Sequence, residues 1–434
     1  MPLTKNAGCH EAQQSKKMED FSMRKIVGLL RVLMLSLLVG SLAARADVVL
    51  DWNVIAVNTA VANRANPFAQ ARFAAIVQLS VFEAVNSITH RYHPYLGLTA
   101  NADASPDAAA IEAAYVVLTN YFPNSAADLY NDWTTSMQAI PDGQAKTDGI
   151  AAGDAAAAAM LALRSNDGSS PAQTTLPGPP APGVWQLTGT CTAGIAFQWP
   201  HVTPFGVASV GDYLPDPPPS LTSPEYTKAY NEVMTVGGQN STARPPDRAN
   251  VALFYAATSP SQALNQAARQ IAAAQGRALA ENARALALIN MAMSDSLVAS
   301  FYNKYYYNFW RPVTAINNGG ADGNPNTTGD PSWTPFITTP CFPSYPSNHG
   351  SATNSATEVM RRIYGDDGFS ITLSNPAVPS IVLQYTSLKQ IDDDVSDARV
   401  YGGIHFRTDQ KAGARLGKAI GKAVYKKNLR PIDD

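Results

Sequence analysis

Long stretches of helical hydrophobic periodicity alternate along the chain with stretches that no regular element can hold. Apolar positions recur every three or four residues from Phe73 to Val85, and Ala-rich segments follow at 107–118 and 150–164. The same spacing returns from Leu279 to Leu297, which predicts one long buried helix over 278–302. These patterns predict a predominantly helical protein.

Two segments contain too much Pro, Gly, Ser or Asn to be regular, namely 166–222 and 317–345. The first is either an irregular excursion over the surface or a boundary between two helical halves. A final helix is expected to begin near Thr408, an N-cap residue type, with Asp409 in its first turn. Because no run of residues alternates with the period of a strand, the fold class expected is all-α.

The N-terminal region has the layout of an export signal. A basic start at Met23-Arg24-Lys25 precedes an apolar run, Val32 to Val39, and Ala44-Arg45-Ala46 provides small residues for cleavage before Asp47. The alternative is an uncleaved membrane anchor, but the run is short and Arg31 interrupts it. We therefore expect an exported protein, periplasmic or secreted. No later segment looks long and apolar enough to span a bilayer.

This layout divides the chain into four parts. They are a polar extension at 1–22, a signal peptide at 23–46, a helical half with the Pro-rich excursion at 47–222, and a second helical half at 223–434. Met18 and Met23 are the two candidates for the true start of the protein, which would leave most or all of the extension untranslated.

Composition narrows the classes of function. The 434 residues are 45% hydrophobic and 15% charged with a net charge of −2, so no basic field suggests a nucleic-acid partner. Two cysteines, Cys191 and Cys341, fall in the expected mature chain. A disulfide and two separate buried thiols both fit the sequence.

The first candidate site motif places Lys304 and Arg311 seven residues apart, just before Pro312. On a helix this spacing puts the two cations within about 20° of the same face, where they need an anion between them. The alternative is a solvated basic face. Five aromatic residues between 305 and 310 favour a partly buried pair that binds a ligand.

The second motif is a proline-stiffened loop, residues 343–350, that leads into an amphipathic helical pattern. Ser347 and His349 are thus expected at a helix N-terminus, where unpaired N–H groups and the dipole favour an anion. The alternatives are an ordinary N-cap for Ser347 and a structural imidazole for His349.

In the third motif, Gly402 and Gly403 break the helical periodicity between Arg399 and His405. The break lets the guanidinium and the imidazole converge on one point from different directions. The three motifs together provide three cations, a hydroxyl and two imidazoles, which suits the binding of a tetrahedral oxyanion.

These motifs resemble those of the vanadium-dependent haloperoxidase and type 2 phosphatidic acid phosphatase superfamily. The segments that resemble the haloperoxidase branch in particular are 202–205, 226–238, 307–316, 342–349 and 403–407, so that the resemblance extends over nearly all of 47–430. The resemblance implies a fold of two four-helix bundles with long irregular loops, and an oxyanion site in 223–434.

The resemblance also implies a bound vanadate, which phosphate could replace. Its oxygens would be neutralised by Lys304, Arg311 and Arg399. The Ser347 hydroxyl and the backbone N–H of Asn348 would hydrogen-bond the same oxygens.

Three further roles follow from the resemblance. His405 would be the imidazole bonded to vanadium, and His349 would be the acid/base residue on the opposite side. Phe342 falls where the family places an aromatic ring beside the halide-binding side.

The chain departs from the family pattern at two positions. Asn348 replaces the usual Gly, and its side chain needs room and would strain a left-handed backbone. Ala398 replaces the usual Ser before the third-motif Arg, which removes one hydrogen bond near the site.

Three hypotheses remain at this point. The first is an exported haloperoxidase-like enzyme that oxidises halide with hydrogen peroxide and passes it to a small organic acceptor. The second is a soluble acid phosphatase that works through a phosphohistidine at His405. The third is a helical protein with a vestigial site. The interval of 45 positions from Lys304 to His349 and the large N-terminal half favour the first over compact phosphatases, and the missing spans argue against a stable membrane partner.

Overall fold

Residues 47–432 are described by the structure, a computed structural model. The polar extension, the signal peptide and the candidate start residues lie outside the described residues. From Val48 onward the chain forms one compact unit. The division into halves at residue 222 stays a prediction.

Helices dominate the described part, which confirms the all-α expectation. They are α1 (Val48–Ala62), α2 (Pro67–Thr89), α3 (Pro106–Tyr121), α4 (Ala126–Gln138), α5 (Gln144–Arg164), α6 (Pro224–Val236), α7 (Pro246–Ala257), α8 (Pro260–Ala274), α9 (Leu279–Tyr307), α10 (Pro312–Asn317), α11 (Asn348–Tyr364), α12 (Leu388–Tyr401) and α13 (Arg407–Lys427).

The irregular segments are also where the composition places them. Between 166 and 222 the regular structure is limited to single 3-10 turns at Trp199–His201 and Val210–Asp212. Between α10 and α11 there is one such turn, Gly319–Ala321.

One hairpin corrects the expectation that the chain has no strands. Strands β1 (Asp367–Ser374) and β2 (Val382–Ser387) pair antiparallel, with Leu373 opposite Leu383. The inward-facing Ile371 and Leu373 are buried while their neighbours are exposed, so the alternation is present but only over a few residues. The hairpin packs on α8, which supplies the support that an isolated pair of strands lacks.

Two long helices form the centre of the protein. Helix α2 begins with Asn66 capping Ala69 N, and α9 ends at Asn308 in the left-handed conformation. Both are long and apolar enough to cross a membrane, contrary to the sequence-based expectation. Their most apolar windows are 89% and 94% buried against other helices, as in core helices of a globular protein.

Close packing of α11 on α13 fixes the position of the candidate site. Gly413, Gly417 and Gly421 follow one another at intervals of four along α13 and face the serines of α11. A Cβ atom at Gly417 would lie 2.2 Å from the backbone oxygen of Ser351. The two backbones approach so closely because these residues lack side chains.

Gly417→Ala should therefore destabilise the protein although alanine is the better helix former. We expect a loss of about 1–3 kcal/mol, because the added methyl forces the two helices apart. Thermal unfolding of the variant measures it, with Lys418→Ala at the exposed neighbouring position as the control. An unchanged melting temperature would contradict the proposed role of the close approach.

A disulfide joins Cys191 to Cys341, which settles the pairing that the sequence left open. Beside it, Ile195 N donates to the backbone oxygen of Cys341 at 3.0 Å. The bond ties the irregular 166–222 segment to the residues just before Phe342, so that this segment becomes part of the wall of the candidate site.

Candidate oxyanion site

A cavity of about 360 Å³ lies where the second and third motifs meet. Five of the predicted site residues line it: Phe342, Asn348, His349, Arg399 and His405. Much of the remaining wall is apolar and comes from distant parts of the chain, including Phe68, Ile195, Leu297 and Ile337. The other three predicted residues, Lys304, Arg311 and Ser347, are fully buried beside this lining.

Lys304 extends from the last turn of α9 and holds the second-motif loop. Its ammonium donates to the backbone oxygens of Pro343, Ser344 and Pro346 at 2.9, 2.7 and 2.5 Å. Burial and the nearby Arg311 hold the pKa of Lys304 well below its usual value, whereas Asp409 opposes this shift. Because all three N–H groups bond the loop, Lys304 acts here mainly as its anchor.

Arg311 joins the three motifs. Its Nε donates to the Phe342 oxygen and its Nη1 to the Ile404 oxygen, both at 2.9 Å. Nη1 also lies 3.0 Å from Nε2 of His405. Nη2 has no hydrogen-bond partner although it is buried. Burial lowers the pKa of this guanidinium to about 9.

Arg399 reaches the cavity from the last turn of α12. Its Nη1 donates to the backbone oxygen of Tyr255 at 3.1 Å, while its buried Nε has no partner. Burial lowers the pKa of Arg399 to about 10. In the described part of the chain, neither this guanidinium nor that of Arg311 forms a salt bridge.

The residues present therefore fit an anion with several oxygens. Buried cations are expensive unless they are paired, and here two guanidinium groups keep a buried N–H group without an acceptor. The forked geometry of arginine suits oxyanions. The Asp409 carboxylate opposes the lowering of the pKa of both Lys304 and Arg311, but it is one negative charge near three positive ones.

The protonation of His405 follows from its neighbours. A guanidinium can only donate, so Nε2 accepts from Arg311 and the ring proton is on Nδ1. Nδ1 donates to Asp409 Oδ2 at 2.9 Å, and burial together with Arg311 keeps the pKa of His405 well below 6.5. The Nε2 lone pair is thus available to an electrophile once Arg311 moves aside.

Asp409 is a site residue that sequence reasoning missed. Its Oδ2 accepts from Ser344 Oγ at 2.6 Å and from Phe406 N at 3.1 Å, besides His405. Helix α13 begins at Arg407, near Thr408 as expected and with Asp409 in its first turn, but Phe406 and not Thr408 is the N-cap. His405 precedes the N-cap of α13, so helical spacing does not explain its contact with Asp409 and gave no signal for it.

His349 points into the cavity from the first turn of α11 and hydrogen-bonds the backbone of Tyr255. Burial, Arg399 and Lys304 hold its pKa well below 6.5, so the ring is neutral at physiological pH. The same Tyr255 oxygen accepts from Arg399. It lies near the C-terminus of α7, where carbonyls lack partners within the helix. Sequence reasoning had no signal for this backbone contact.

Ser347 and Asn348 start α11. The Ser347 hydroxyl accepts from Gly350 N at 3.1 Å, so the N-cap alternative is realised. This bond uses a lone pair and leaves the hydroxyl proton for an oxyanion. Asn348 is not among the residues with positive φ, so the strain expected from its Cβ does not arise. Its Oδ1 accepts from Ser300 Oγ at 2.7 Å.

Phe342 covers the cations. Its ring centroid lies 5.3 Å from Lys304 Nζ and 5.1 Å from Cζ of Arg311, within the range of cation–π attraction. Edge-to-face packing on Phe301, with centroids 5.2 Å apart, holds the ring in place. The ring thereby separates the cations from the apolar part of the cavity.

Known proteins share both the sequence of the second half and the fold. Residues 284–434 match the family model of the VCPO second helical-bundle domain. Vanadium chloroperoxidase of Curvularia inaequalis is 29% identical over 35% of this chain, and the match spans 30% of that relative's length.

Solved structures extend the likeness of the fold to most of the chain. A bacterial vanadium-dependent iodoperoxidase superposes with a TM-score of 0.76 over 89% of this chain and 97% of its own, at 24% identity. A bacterial vanadium-dependent chloroperoxidase in its apo form gives 0.66 over 83% and 94%, at 14% identity. The match of residues 284–434 and the convergence of the three motifs support a place in the vanadium haloperoxidase superfamily, and the solved structures show that most of the chain has the same fold.

Proposed function

We propose that this protein is an exported vanadium-dependent haloperoxidase, which oxidises halide with hydrogen peroxide and delivers it to a small organic acceptor. The observation that carries the proposal is the excess of buried positive charge around His405 Nε2. The similarity to a vanadium chloroperoxidase and to a vanadium-dependent iodoperoxidase supports the choice of vanadate as cofactor.

Each residue has a defined task in this proposal. Arg311 and Arg399 provide the buried N–H groups for the oxygens, and Lys304 keeps the 343–346 loop in the shape that presents Ser347. His405 provides the nitrogen ligand, and Asp409 fixes its tautomer. When bound, vanadate supplies Lewis-acid activation of peroxide without changing its oxidation state.

His349 handles protons. The neutral ring accepts a proton from hydrogen peroxide as peroxide enters the site, and returns it to the oxygen that leaves as water. The net reaction consumes halide, hydrogen peroxide and one proton, and yields hypohalous acid and water. The apolar wall around the cavity limits the access of bulk water.

A phosphatase on the same site is the alternative. The His405 Nε2 lone pair suits attack on phosphorus, and bound vanadate would then imitate the transition state. Both reactions need His349 to deliver a proton to a leaving oxygen, so the lowered pKa of this ring does not separate them. The relatives, which are vanadium-dependent haloperoxidases, favour the peroxidase.

Export is supported by the signal-like pattern at 23–46 and by the disulfide, since disulfides persist in oxidising compartments.

Addition of orthovanadate to metal-free protein separates the two chemistries. We expect vanadate to restore peroxide-dependent oxidation of bromide or iodide, measured by halogenation of a chromogenic acceptor. If vanadate instead only inhibits hydrolysis of an aryl phosphate, and no halide is oxidised, the phosphatase replaces the peroxidase. If neither activity is found and no oxyanion binds, the site is vestigial.

A further inference from the structure

The carboxamide of Asn348 has its oxygen fixed by a hydrogen bond and its nitrogen directed towards the cavity. Its Oδ1 accepts from Ser300 Oγ at 2.7 Å, so the amide nitrogen faces the other way. Among the residues that the structure describes, the Ser300 contact is the hydrogen bond that this carboxamide makes, and none is donated by Nδ2. The residue lines the cavity and is 8% exposed. A hydroxyl thus orients an amide N–H donor towards the cavity.

The surroundings of this amide are mostly apolar. Ser300 lies one helical turn before Lys304 on α9, a rise of about 5–6 Å. On the same side, Leu297 lines the cavity, and Phe301 packs edge-to-face on Phe342. The amide therefore stands between the apolar wall and the cations, about one turn from the level at which Lys304 holds the loop.

The Asn348 amide offers one N–H donor in an apolar wall, close to the positive charges of the site. This environment suits a monatomic anion, which has no oxygen atoms that need several oriented donors. An oxyanion gains more from the forked guanidinium groups and from backbone N–H groups at the start of α11. A halide needs only one or two N–H donors and tolerates apolar neighbours, because large halides are weakly hydrated.

We propose that the Asn348 carboxamide, held by Ser300, binds the halide substrate and helps determine which halide is used. The inference rests on the proposed haloperoxidase function. It also assigns a function to the side chain of Asn348, the position at which the chain departs from the glycine that is usual in the family.

Three variants and a control test the proposal. Asn348→Gly removes the donor, and Asn348→Asp keeps the acceptor for Ser300 but turns the donor into a carboxylate oxygen. Ser300→Ala releases the amide from its fixed orientation. The control is Ser294→Ala on the same helix, because the buried Ser294 hydroxyl has no partner.

We expect the KM for bromide to rise roughly ten- to a hundredfold in Asn348→Gly, as for loss of a hydrogen bond to a charged group. It should rise further in Asn348→Asp, rise less in Ser300→Ala and stay unchanged in Ser294→Ala. Vanadate affinity, measured without halide by calorimetric titration, should stay within about threefold of wild type in Asn348→Gly. A fall in vanadate affinity with an unchanged KM would instead make the amide an oxyanion ligand and overturn the proposal.

A bromide-soaked crystal gives a readout that does not depend on activity. The anomalous signal of bromide should appear in contact with Asn348 Nδ2 in wild type and be absent in Asn348→Gly. Bromide at the same place in both proteins, or nowhere near the amide in wild type, would overturn the inference. A wild-type protein that oxidises no halide but shows the bromide contact would refute the proposed function and leave the anion site standing.

Discussion

His405→Ala abolishes vanadate retention and peroxide-dependent halide oxidation together, if the proposed ligand role is right. The Nε2 lone pair is the only ligand nitrogen for which the structure gives a fixed tautomer and a supporting carboxylate among the described residues. Without it, the cations alone must hold the oxyanion, and no nitrogen ligand remains. Vanadium content after dialysis and the rate of bromination measure the two losses.

Two comparisons make this result specific. His349→Ala should keep most of the vanadate affinity and lose turnover, because His349 is assigned to proton transfer and not to binding. His93→Ala, at an exposed position, controls for the loss of an imidazole as such. A His405→Ala protein that retains vanadate as wild type does would refute the assignment of His405 as ligand.

Asp409→Asn should weaken vanadate binding by roughly ten- to a hundredfold, as observed when a group that orients a metal-bound histidine is changed. An amide oxygen can still accept from His405 Nδ1 and Ser344, so the geometry is largely kept. The negative charge opposite Lys304 and Arg311 is lost. The affinity is measured by vanadate titration, with circular dichroism to verify that the variant is folded.

Asp393→Asn is the matched control, because Asp393 is exposed on α12 and pairs with Lys389. Its vanadate affinity should equal that of wild type. If Asp409→Asn binds vanadate with unchanged affinity and turns over at the wild-type rate, the carboxylate serves only to cap α13.

Much of the site could be predicted from the order and spacing of charged residues in the sequence. Lys304, Arg311, Arg399 and His405 are residue types that rarely become fully buried, and aromatic residues or glycines surround them. Their convergence across about a hundred positions needs a fold that brings α9, α12 and α13 together. Helical periodicity predicts these helices but not their packing.

Other parts of the site depend on contacts that no local pattern specifies. Backbone oxygens of Tyr255 and of the 343–346 loop serve as acceptors for Arg399 and Lys304, and any residue type provides such an oxygen. The role of Lys304 as loop anchor was missed for this reason. The hairpin of β1 and β2 was missed because its alternation covers too few residues to stand out from a helical background.

A crystal structure of the mature protein grown with orthovanadate tests the central claim most directly. We expect vanadium density bonded to His405 Nε2, Arg311 shifted away from that nitrogen, and the oxygens in contact with Arg399, Ser347 Oγ and the backbone N–H of Asn348. Density that avoids His405, or a cavity that takes up no vanadate although the protein is folded, would contradict the proposal that this chain is a vanadium-dependent haloperoxidase.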